Sequence, residues 1–210
     1  YMAEYRAIRE KLSLLEMVER PEIAAEVTLQ PVKAHGVDAA ILFADILLPI
    51  VPMGFNLTFV KGEGPIIDNP FRGEADLKRI QKIDAKVDLG HVMEAIRILR
   101  GELGQDVALI GFSGAPFTVA SYMIEGGPSK EYHHVKSLML AYPEVWAEFM
   151  ELVTEALTDY LVSQIEAGAQ AVQVFDSWVG ALSPSDYQEF VLPYSKKLSL
   201  IHISEPTRPY

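Results

Sequence analysis

The chain has 210 residues, half of them hydrophobic and 22% charged, which is enough for one sizeable core and is typical of a globular protein. Its net charge of −11 argues against a basic nucleic-acid-binding or polybasic membrane-binding surface. The absence of cysteine excludes disulfides, thiolate zinc sites and cysteine nucleophiles, and it suits a reducing compartment such as the cytoplasm.

The first half of the chain predicts helices, one buried strand and a hairpin. Pro21 is placed to open a helix at its first turn and Gly36 to end it. The predicted elements are helices within residues 13–35, a strand at 39–44, a hairpin at 56–68 that turns at 62–65, and an amphipathic helix at 84–103 with Val87, Val92, Ile96 and Leu99 on one face.

The second half repeats the alternation of strand and helix. Its predicted elements are a strand at 107–112, a turn at 113–116 that enters a helix, helices at 132–142 and 143–167, a strand at 169–175, and a helix with Ser183 as N-cap, Pro184 at the first position and Asp186 at the third. Continuously apolar strands that alternate with helices predict an α/β fold with a parallel sheet and outer helices. Ligands of such folds bind at the carboxyl ends of the strands.

Asp45 follows the first strand and interrupts the apolar run AAILFADILLPIVPMGF. Two interpretations are open: the side chain caps the next turn, or it is a buried carboxylate with a partner. Burial raises the pKa of a carboxyl group, so an ionised Asp45 needs a positive or N–H-rich neighbour. No Lys or Arg follows it before Lys61, so a ligand is a candidate for that neighbour.

The other strand ends offer further candidates. In GFSGAPFTVASYMIEGG, two glycines and a proline at a strand–helix junction favour close backbone approach to a ligand, although the pattern is neither a P-loop nor GxGxxG. Tyr122, on the following helix, is either a core residue or a hydrogen-bonding group for a ligand carboxylate. Ser177 follows Asp176 at the third strand end, and with no nearby His it favours hydrogen bonding or capping over nucleophilic catalysis.

Charged side chains elsewhere give weaker indications. Arg6 and Arg9 in EYRAIRE are either solvated or carboxylate-binding, a role to which the guanidinium group is well suited. His133 and His134 are adjacent and point apart on a helix, so no metal site is predicted there.

Five stretches, in this order and spacing, resemble the uroporphyrinogen decarboxylase family: YMAEYRAIRE, DAAILFADILLPIVPMGF, GPIIDNPFR, GFSGAPFTVASYMIEGG and FDSWVGALSPSDYQEFVLPYSKKL. The resemblance covers residues 1–198. It implies part of a single (β/α)8 barrel domain, usually dimeric, and a cofactor-independent lyase. This lyase converts the four acetate groups of uroporphyrinogen III to methyls, giving coproporphyrinogen III in haem biosynthesis.

The resemblance also implies roles for individual residues. Asp45 would accept the pyrrole N–H bonds of the macrocycle and stabilise the cation on which decarboxylation depends. Tyr122 and Ser177 would contact polar groups of the substrate, Arg9 would bind carboxylates, and Phe112 would line the macrocycle pocket. No cofactor and no metal are implied.

The chain departs from the family pattern at both ends. An arginine-rich segment is expected before Tyr1, and the later half of the barrel, with a substrate-binding His, is also missing from the sequence. Residues 199–210 resemble translated adapter sequence and are expected to be foreign. We therefore expect this chain to be inactive by itself.

Two other functions remain open. A related corrinoid methyltransferase would bind zinc through Cys and His, and the lack of Cys argues against it. A non-catalytic tetrapyrrole-binding protein would use Asp45 and Tyr122 without turnover.

Overall fold

The structure is a computed structural model that describes residues 2–60 and 62–200. Its helices are α1 (Ala3–Arg9), α2 (Leu14–Val18), α3 (Pro21–His35), α4 (Glu74–Leu77), α5 (Ala85–Asp88), α6 (Gly90–Glu102), α7 (Pro116–Glu125), α8 (His133–Ala141), α9 (Pro143–Ala167), α10 (Pro184–Phe190) and α11 (Leu192–Leu200). Its strands are β1 (Ala39–Ile41), β2 (Leu57–Val60), β3 (Gly64–Ile67), β4 (Ala108–Gly114) and β5 (Ala171–Phe175). Within the described ranges, no helix combines the length and the apolar character needed to cross a membrane. Most of the predicted foreign tail, residues 201–210, lies outside the described residues.

Three strands form a sheet in the order β1-β4-β5. β1 and β4 are parallel, with Ile41 opposite Ile110. On the other side of β4, the Gln170 N–H, just before β5, donates to the Leu109 carbonyl at 2.9 Å. Helices lie between consecutive strands of this sheet in the chain, as parallel connections require. The predicted α/β class and parallel sheet are therefore confirmed.

The predicted strand at 39–44 is too long. β1 ends at Ile41, and only the Leu42 N–H continues the pairing, to the Ile110 carbonyl at 3.0 Å. The next amide, that of Phe43, turns to the Thr28 hydroxyl of α3 at 2.9 Å. Asp45 therefore lies in the loop beyond the strand and not at its last position.

The predicted helix at 84–103 is two helices, α5 and α6. The chain breaks at Leu89, whose φ of −119° and ψ of 28° are not helical. Val92, Ile96 and Leu99 face the core as predicted, but Val87 lies on the separate α5 and is 74% exposed. The apolar spacing is continuous across the break, so periodicity alone predicted one helix.

Two helix ends agree with the sequence prediction, and the hairpin is confirmed, although the predicted turn at 62–65 extends too far because β3 begins at Gly64. Gly36 ends α3 with a φ of 59°, and the Ser183 hydroxyl accepts the Asp186 N–H at 3.1 Å at the start of α10. β2 and β3 pair antiparallel. The predictions for residues 132–142 and 143–167 are confirmed by α8 and α9.

The chain divides into two compact units, which are described separately. The first unit comprises Tyr1–Leu48, Asp84–Ser113 and Tyr160–Val174, and it holds most of the sheet. Its helices α3 and α6 pack together, and the apolar residues that the two helices bury include Ala24, Ala25, Met93 and Ile96.

The second unit comprises Pro49–Ile83, Gly114–Asp159 and Phe175–Tyr210. It contains the hairpin and an aromatic core in which the rings of Phe71 and Phe149 stack at 4.2 Å between centroids. Arg79 places its guanidinium 4.6 Å from the Phe55 ring centroid and donates to the carbonyls of Asn69 and Pro70. These contacts tie the loops around the hairpin together.

A buried side-chain amide attaches α9 to β4 in the first unit. Gln164 is fully buried; its Oε1 accepts the Phe112 N–H and its Nε2 donates to the Phe112 carbonyl, both at 2.9 Å. A Cβ added to Gly111 would lie 2.4 Å from the Gln164 Oε1. Glycine is therefore needed at position 111 because the amide occupies the space of a side chain.

We predict that Gln164→Ala lowers the free energy of unfolding by about 2–4 kcal/mol, because it removes two buried hydrogen bonds to the backbone of Phe112. Urea denaturation of the purified chain measures this. Gln173→Ala is the matched control: Gln173 is exposed on β5, and among the described residues its side chain bonds only to the neighbouring Val174 carbonyl, so its loss should change stability by less than about 0.5 kcal/mol.

Gly111→Ala should also destabilise the chain, and its effect should shrink when Gln164→Ala is already present, because the clash partner is gone. Additive effects in this double-mutant cycle would show that the amide does not fill the space at Gly111.

Candidate functional site

Asp45 starts a turn at the carboxyl edge of the first unit's sheet. Its Oδ1 accepts the Leu47 N–H at 2.8 Å, and its carbonyl accepts the Leu48 N–H at 3.3 Å. Asp45 therefore caps this turn, as the first of the two interpretations predicted. The Leu47 N–H bonds to Oδ1, and no described residue donates a hydrogen bond to Oδ2.

The electrostatic environment of Asp45 disfavours its charge. Burial raises the pKa of Asp45, and the Leu47 N–H only partly offsets this by lowering it. In the part of the chain that the structure describes, Asp45 has no ion-pair partner. A cation or several N–H donors would lower the free energy of this carboxylate.

The charge of Asp45 also affects Tyr160 of α9. Its side chain is fully buried, and its hydroxyl has no hydrogen-bond partner among the described residues. Burial, and then the charge of Asp45, raise the pKa of Tyr160, so the phenol stays protonated and remains a donor.

Phe112 is 8% exposed and follows Gly111 on β4. Because side chains alternate along a strand and Gly111 faces Gln164 of α9, the ring of Phe112 lies on the opposite face of the sheet.

Arg9 is exposed at the end of α1, and its Nη1 donates to the Leu12 carbonyl at 3.0 Å. It therefore holds the turn that follows its own helix.

In the second unit, a buried hydroxyl fixes the loop after β5. Thr118 of α7 is fully buried; its hydroxyl donates to Asp176 Oδ1 at 2.8 Å and accepts the Trp178 N–H at 3.2 Å. Burial raises the pKa of Asp176, and the Thr118 hydrogen bond opposes this. Ser177 lies between the two anchored residues and is exposed.

Tyr122 belongs to an aromatic group around this loop. Its half-buried ring packs edge-to-face against Trp178, with 5.8 Å between the ring centroids. The ring of Tyr132 also packs against Trp178, at a tilt and with 6.1 Å between centroids. Such edge contacts orient rings without stacking them. Tyr122 and Ser177 are thus both positioned by Trp178, one through ring contact and the other through the backbone.

The structure therefore groups the predicted residues by unit. Arg9, Asp45 and Phe112 lie in the first unit, and Tyr122 and Ser177 lie in the second. Across residues 2–60 and 62–200, no group of three or more acidic or histidine side chains is arranged to hold a metal ion.

Sequence reasoning missed Tyr160, Gln164, Thr118 and Trp178. A signal for the first two was present: they are polar residues spaced i, i+4 on an otherwise apolar face of α9. A polar side chain on a core-facing stripe requires a specific partner, which only the tertiary structure identifies.

Comparison with known proteins identifies the family. The model of the uroporphyrinogen decarboxylase (URO-D) family matches residues 1–201. Similar proteins include uroporphyrinogen decarboxylases from Carboxydothermus hydrogenoformans, 59% identical over 196 residues, and Trichlorobacter lovleyi, 54% identical over 198 residues. These alignments cover 93% and 94% of this chain but 56% and 58% of the relatives. The chain thus spans a little more than half the length of the relatives it matches.

Among solved structures, a methyltransferase from Methanosarcina mazei matches with a TM-score of 0.74 and 22% identity, covering 88% of this chain and 54% of that one. At this identity the likeness shows the fold alone. With the parallel sheet and its helical connections, it confirms the prediction of a partial (β/α)8 barrel.

We predict that Thr118→Val loosens the loop after β5, because Trp178 and Asp176 both lose their partner. Hydrogen exchange at the Trp178 amide should accelerate about tenfold or more, the factor equivalent to about 1.4 kcal/mol. Thr118→Ser keeps the hydroxyl and should exchange at nearly the parent rate. Equal acceleration in both variants would contradict the role given to the hydroxyl.

Proposed function

Because the chain belongs to the uroporphyrinogen decarboxylase family, we propose that the whole protein removes the four acetate carboxyl groups of uroporphyrinogen III. The product is coproporphyrinogen III, and the reaction uses no cofactor. The observation that carries the proposal is Asp45, whose carboxylate lies in the loop after β1, is disfavoured by burial and has no ion-pair partner among the described residues.

The chemistry of the reaction calls for such a group. Loss of carbon dioxide leaves an electron pair that needs an acceptor. A pyrrole protonated next to the acetate becomes an electron-poor cation and accepts the pair. Without a cofactor, the protein has to stabilise that cation by preorganised electrostatics.

Asp45 is suited to this role. Its Oδ1 is held by the Leu47 N–H, which fixes the orientation of the carboxylate. The macrocycle would supply inward-pointing N–H donors and, in the reaction, a positive charge. Because little in the described chain compensates the carboxylate beforehand, its interaction with the cation is not weakened by a competing ion pair.

The other predicted residues would bind the substrate. We propose hydrogen bonds from Tyr122 and Ser177 to its polar groups, apolar contact from Phe112 to the macrocycle, and a carboxylate contact from Arg9. Tyr122 and Ser177 owe their placement to Trp178 and its neighbours. Arg9 uses one Nη1–H on the Leu12 carbonyl, which leaves donors on the other nitrogens for a ligand carboxylate.

We propose a homodimer in the cytoplasm that binds neither nucleic acid nor membrane. The net charge of −11 supports the last two points, and the lack of cysteine is in keeping with the compartment. Residues 1–198 would form part of a single barrel domain.

Incubation of the whole protein with uroporphyrinogen III tests the function. Coproporphyrinogen formation supports it. Binding of porphyrinogen without carbon dioxide release would instead support a non-catalytic tetrapyrrole-binding protein, and methyl transfer to or from a corrinoid would support the methyltransferase.

We predict that Asp45→Asn in the whole protein lowers turnover by about 10²–10³-fold, the loss typical of a preorganised electrostatic group. Asp38→Asn is the matched control, because Asp38 is an exposed carboxylate before β1, at the opposite end of the strand. Turnover of Asp45→Asn within a few-fold of the parent would refute the assigned role.

The same substitution should stabilise the chain at neutral pH. The raised pKa of Asp45 means that the folded state binds its proton more tightly than the unfolded state, so stability falls as the pH rises through the folded-state pKa. Asp45→Asn removes this loss above that pKa and has no such advantage below the unfolded value of about 3.9. Urea denaturation at acid and neutral pH measures the difference. A neutral-pH loss of stability would contradict the absence of a compensating partner.

A further inference from the structure

Phe43 lies between β1 and Asp45 and is held both at its backbone and at its ring. Its N–H donates to the hydroxyl of Thr28 on α3 at 2.9 Å. Its ring meets the ring of Tyr5 on α1 edge-on, with 6.0 Å between the centroids and 65° between the planes. All four residues belong to the first unit. Phe43 therefore joins the loop that carries Asp45 to two helices at once.

The Thr28 hydroxyl is buried and acts as both donor and acceptor. Thr28 is 3% exposed, and its hydroxyl donates to the Ala24 carbonyl, one turn earlier on α3, at 2.8 Å. With its hydrogen committed to the helix, the hydroxyl presents its lone pairs to the Phe43 N–H. The branched side chain of threonine has few rotamers, so the helix sets the place of this acceptor.

Thr154 of α9 shows what such a hydroxyl does without a loop to hold. It is also fully buried, and it donates to the Met150 carbonyl one turn earlier at 2.7 Å. No described residue donates a hydrogen bond to it. Thr28 makes the same bond within its helix and in addition accepts an amide from a segment fifteen residues away. The bond to Phe43 is therefore the feature that a role within the helix leaves unexplained.

The held amide is only two residues from the carboxylate. On one side of Phe43, the Leu42 N–H still pairs with the sheet through the Ile110 carbonyl. On the other side, Asp45 Oδ1 accepts the Leu47 N–H at 2.8 Å and closes the turn. Among the described residues, Thr28 supplies the hydrogen bond from another element that lies nearest in sequence to Asp45. It thus acts at the point where the chain leaves the sheet and enters the turn.

The ring of Phe43 connects the same segment to α1. Tyr5 and Arg9 are four residues apart on this helix, so they lie on the same side, one turn from each other. Arg9 is therefore on the side of α1 that contacts Phe43. A fixed Phe43 keeps the helix that carries Arg9 in contact with the loop that carries Asp45.

We propose that Thr28 is a positioning residue for Asp45: by holding the Phe43 amide, it sets the path of the loop after β1 and hence the direction of the carboxylate. In the decarboxylation proposed above, on which this consequence rests, the pyrrole cation would meet a carboxylate whose place is fixed before the substrate binds. Such preorganisation is what makes an electrostatic group effective in the transition state.

The test is hydrogen exchange of two backbone amides in the 210-residue chain, those of Phe43 and Leu47. The Leu47 amide reports on Asp45, because it bonds to the carboxylate. Thr28→Val keeps the branched shape and removes the acceptor, so both amides should exchange about tenfold faster or more. Thr28→Ser retains the hydroxyl and should exchange at nearly the parent rates.

Thr154→Val is the matched control, because it removes a buried hydroxyl that bonds only to its own helix among the described residues. It should leave both amides unchanged. An unchanged Leu47 amide in Thr28→Val would overturn the proposal, and so would equal acceleration in Thr154→Val. If Thr28→Val does not fold, Thr28→Ala and Thr28→Ser decide the question. Both lack the methyl group, so equal exchange at Leu47 would show that the hydroxyl has no such role.

Kinetics of the whole protein separate this inference from the proposed function. Thr28→Val should lower kcat about tenfold with a smaller change in KM, because misalignment of the carboxylate acts mainly on the transition state. Thr28→Ser should recover kcat, and Thr154→Val should keep both constants. A whole protein with no decarboxylase activity would overturn the function, while hydrogen exchange would still decide whether Thr28 positions Asp45.

Discussion

The pairing of the Gln164 amide with the backbone of Phe112 sets the geometry of the first unit. The amide of Gln164 on α9 bonds to both the N–H and the carbonyl of Phe112, so the helix is fixed to β4 at one height. Two consequences follow. Residue 111 has to be glycine, and the ring of Phe112 lies on the face away from α9. Apolar contacts alone would allow α9 to shift along β4, whereas the two hydrogen bonds of the Gln164 amide to Phe112 fix one position.

Asp45 illustrates how stability and function oppose each other at such an edge. Its carboxylate is disfavoured by burial and receives one backbone donor, so the folded chain is less stable when it is ionised. A residue that only capped the turn could be asparagine, which offers the same acceptor without a charge. Retaining the charge makes physical sense where a ligand brings N–H donors or a cation.

The sequence predicted the order of the elements well, because that order depends on local signals. Proline, serine and glycine at helix ends marked the bounds of α3 and α10, and apolar runs marked the three strands of the sheet. The errors have tertiary causes. β1 ends early because Thr28 of α3 takes the Phe43 amide, and Val87 is exposed because the helix breaks at Leu89. Asp45 could be selected from sequence as a charge in an apolar run, but the partner of Gln164 could not, since it depends on which backbone faces the amide across the fold.

The two half-buried aspartates that follow strands of the sheet differ in a way that bears on their roles. Burial raises the pKa of both. Asp176 has a side-chain donor, the Thr118 hydroxyl, and this same hydroxyl holds the Trp178 amide, so the carboxylate is used within the protein to fix a loop. Asp45 receives only the amide of its own turn and retains an oxygen to which no described residue donates. A carboxylate whose hydrogen bonds are satisfied internally has little left for a ligand, whereas one that is oriented and incompletely satisfied binds an N–H-rich cation at less cost. By this criterion Asp176 supports the loop that carries Ser177, and Asp45 is the one that retains hydrogen-bonding capacity for a ligand.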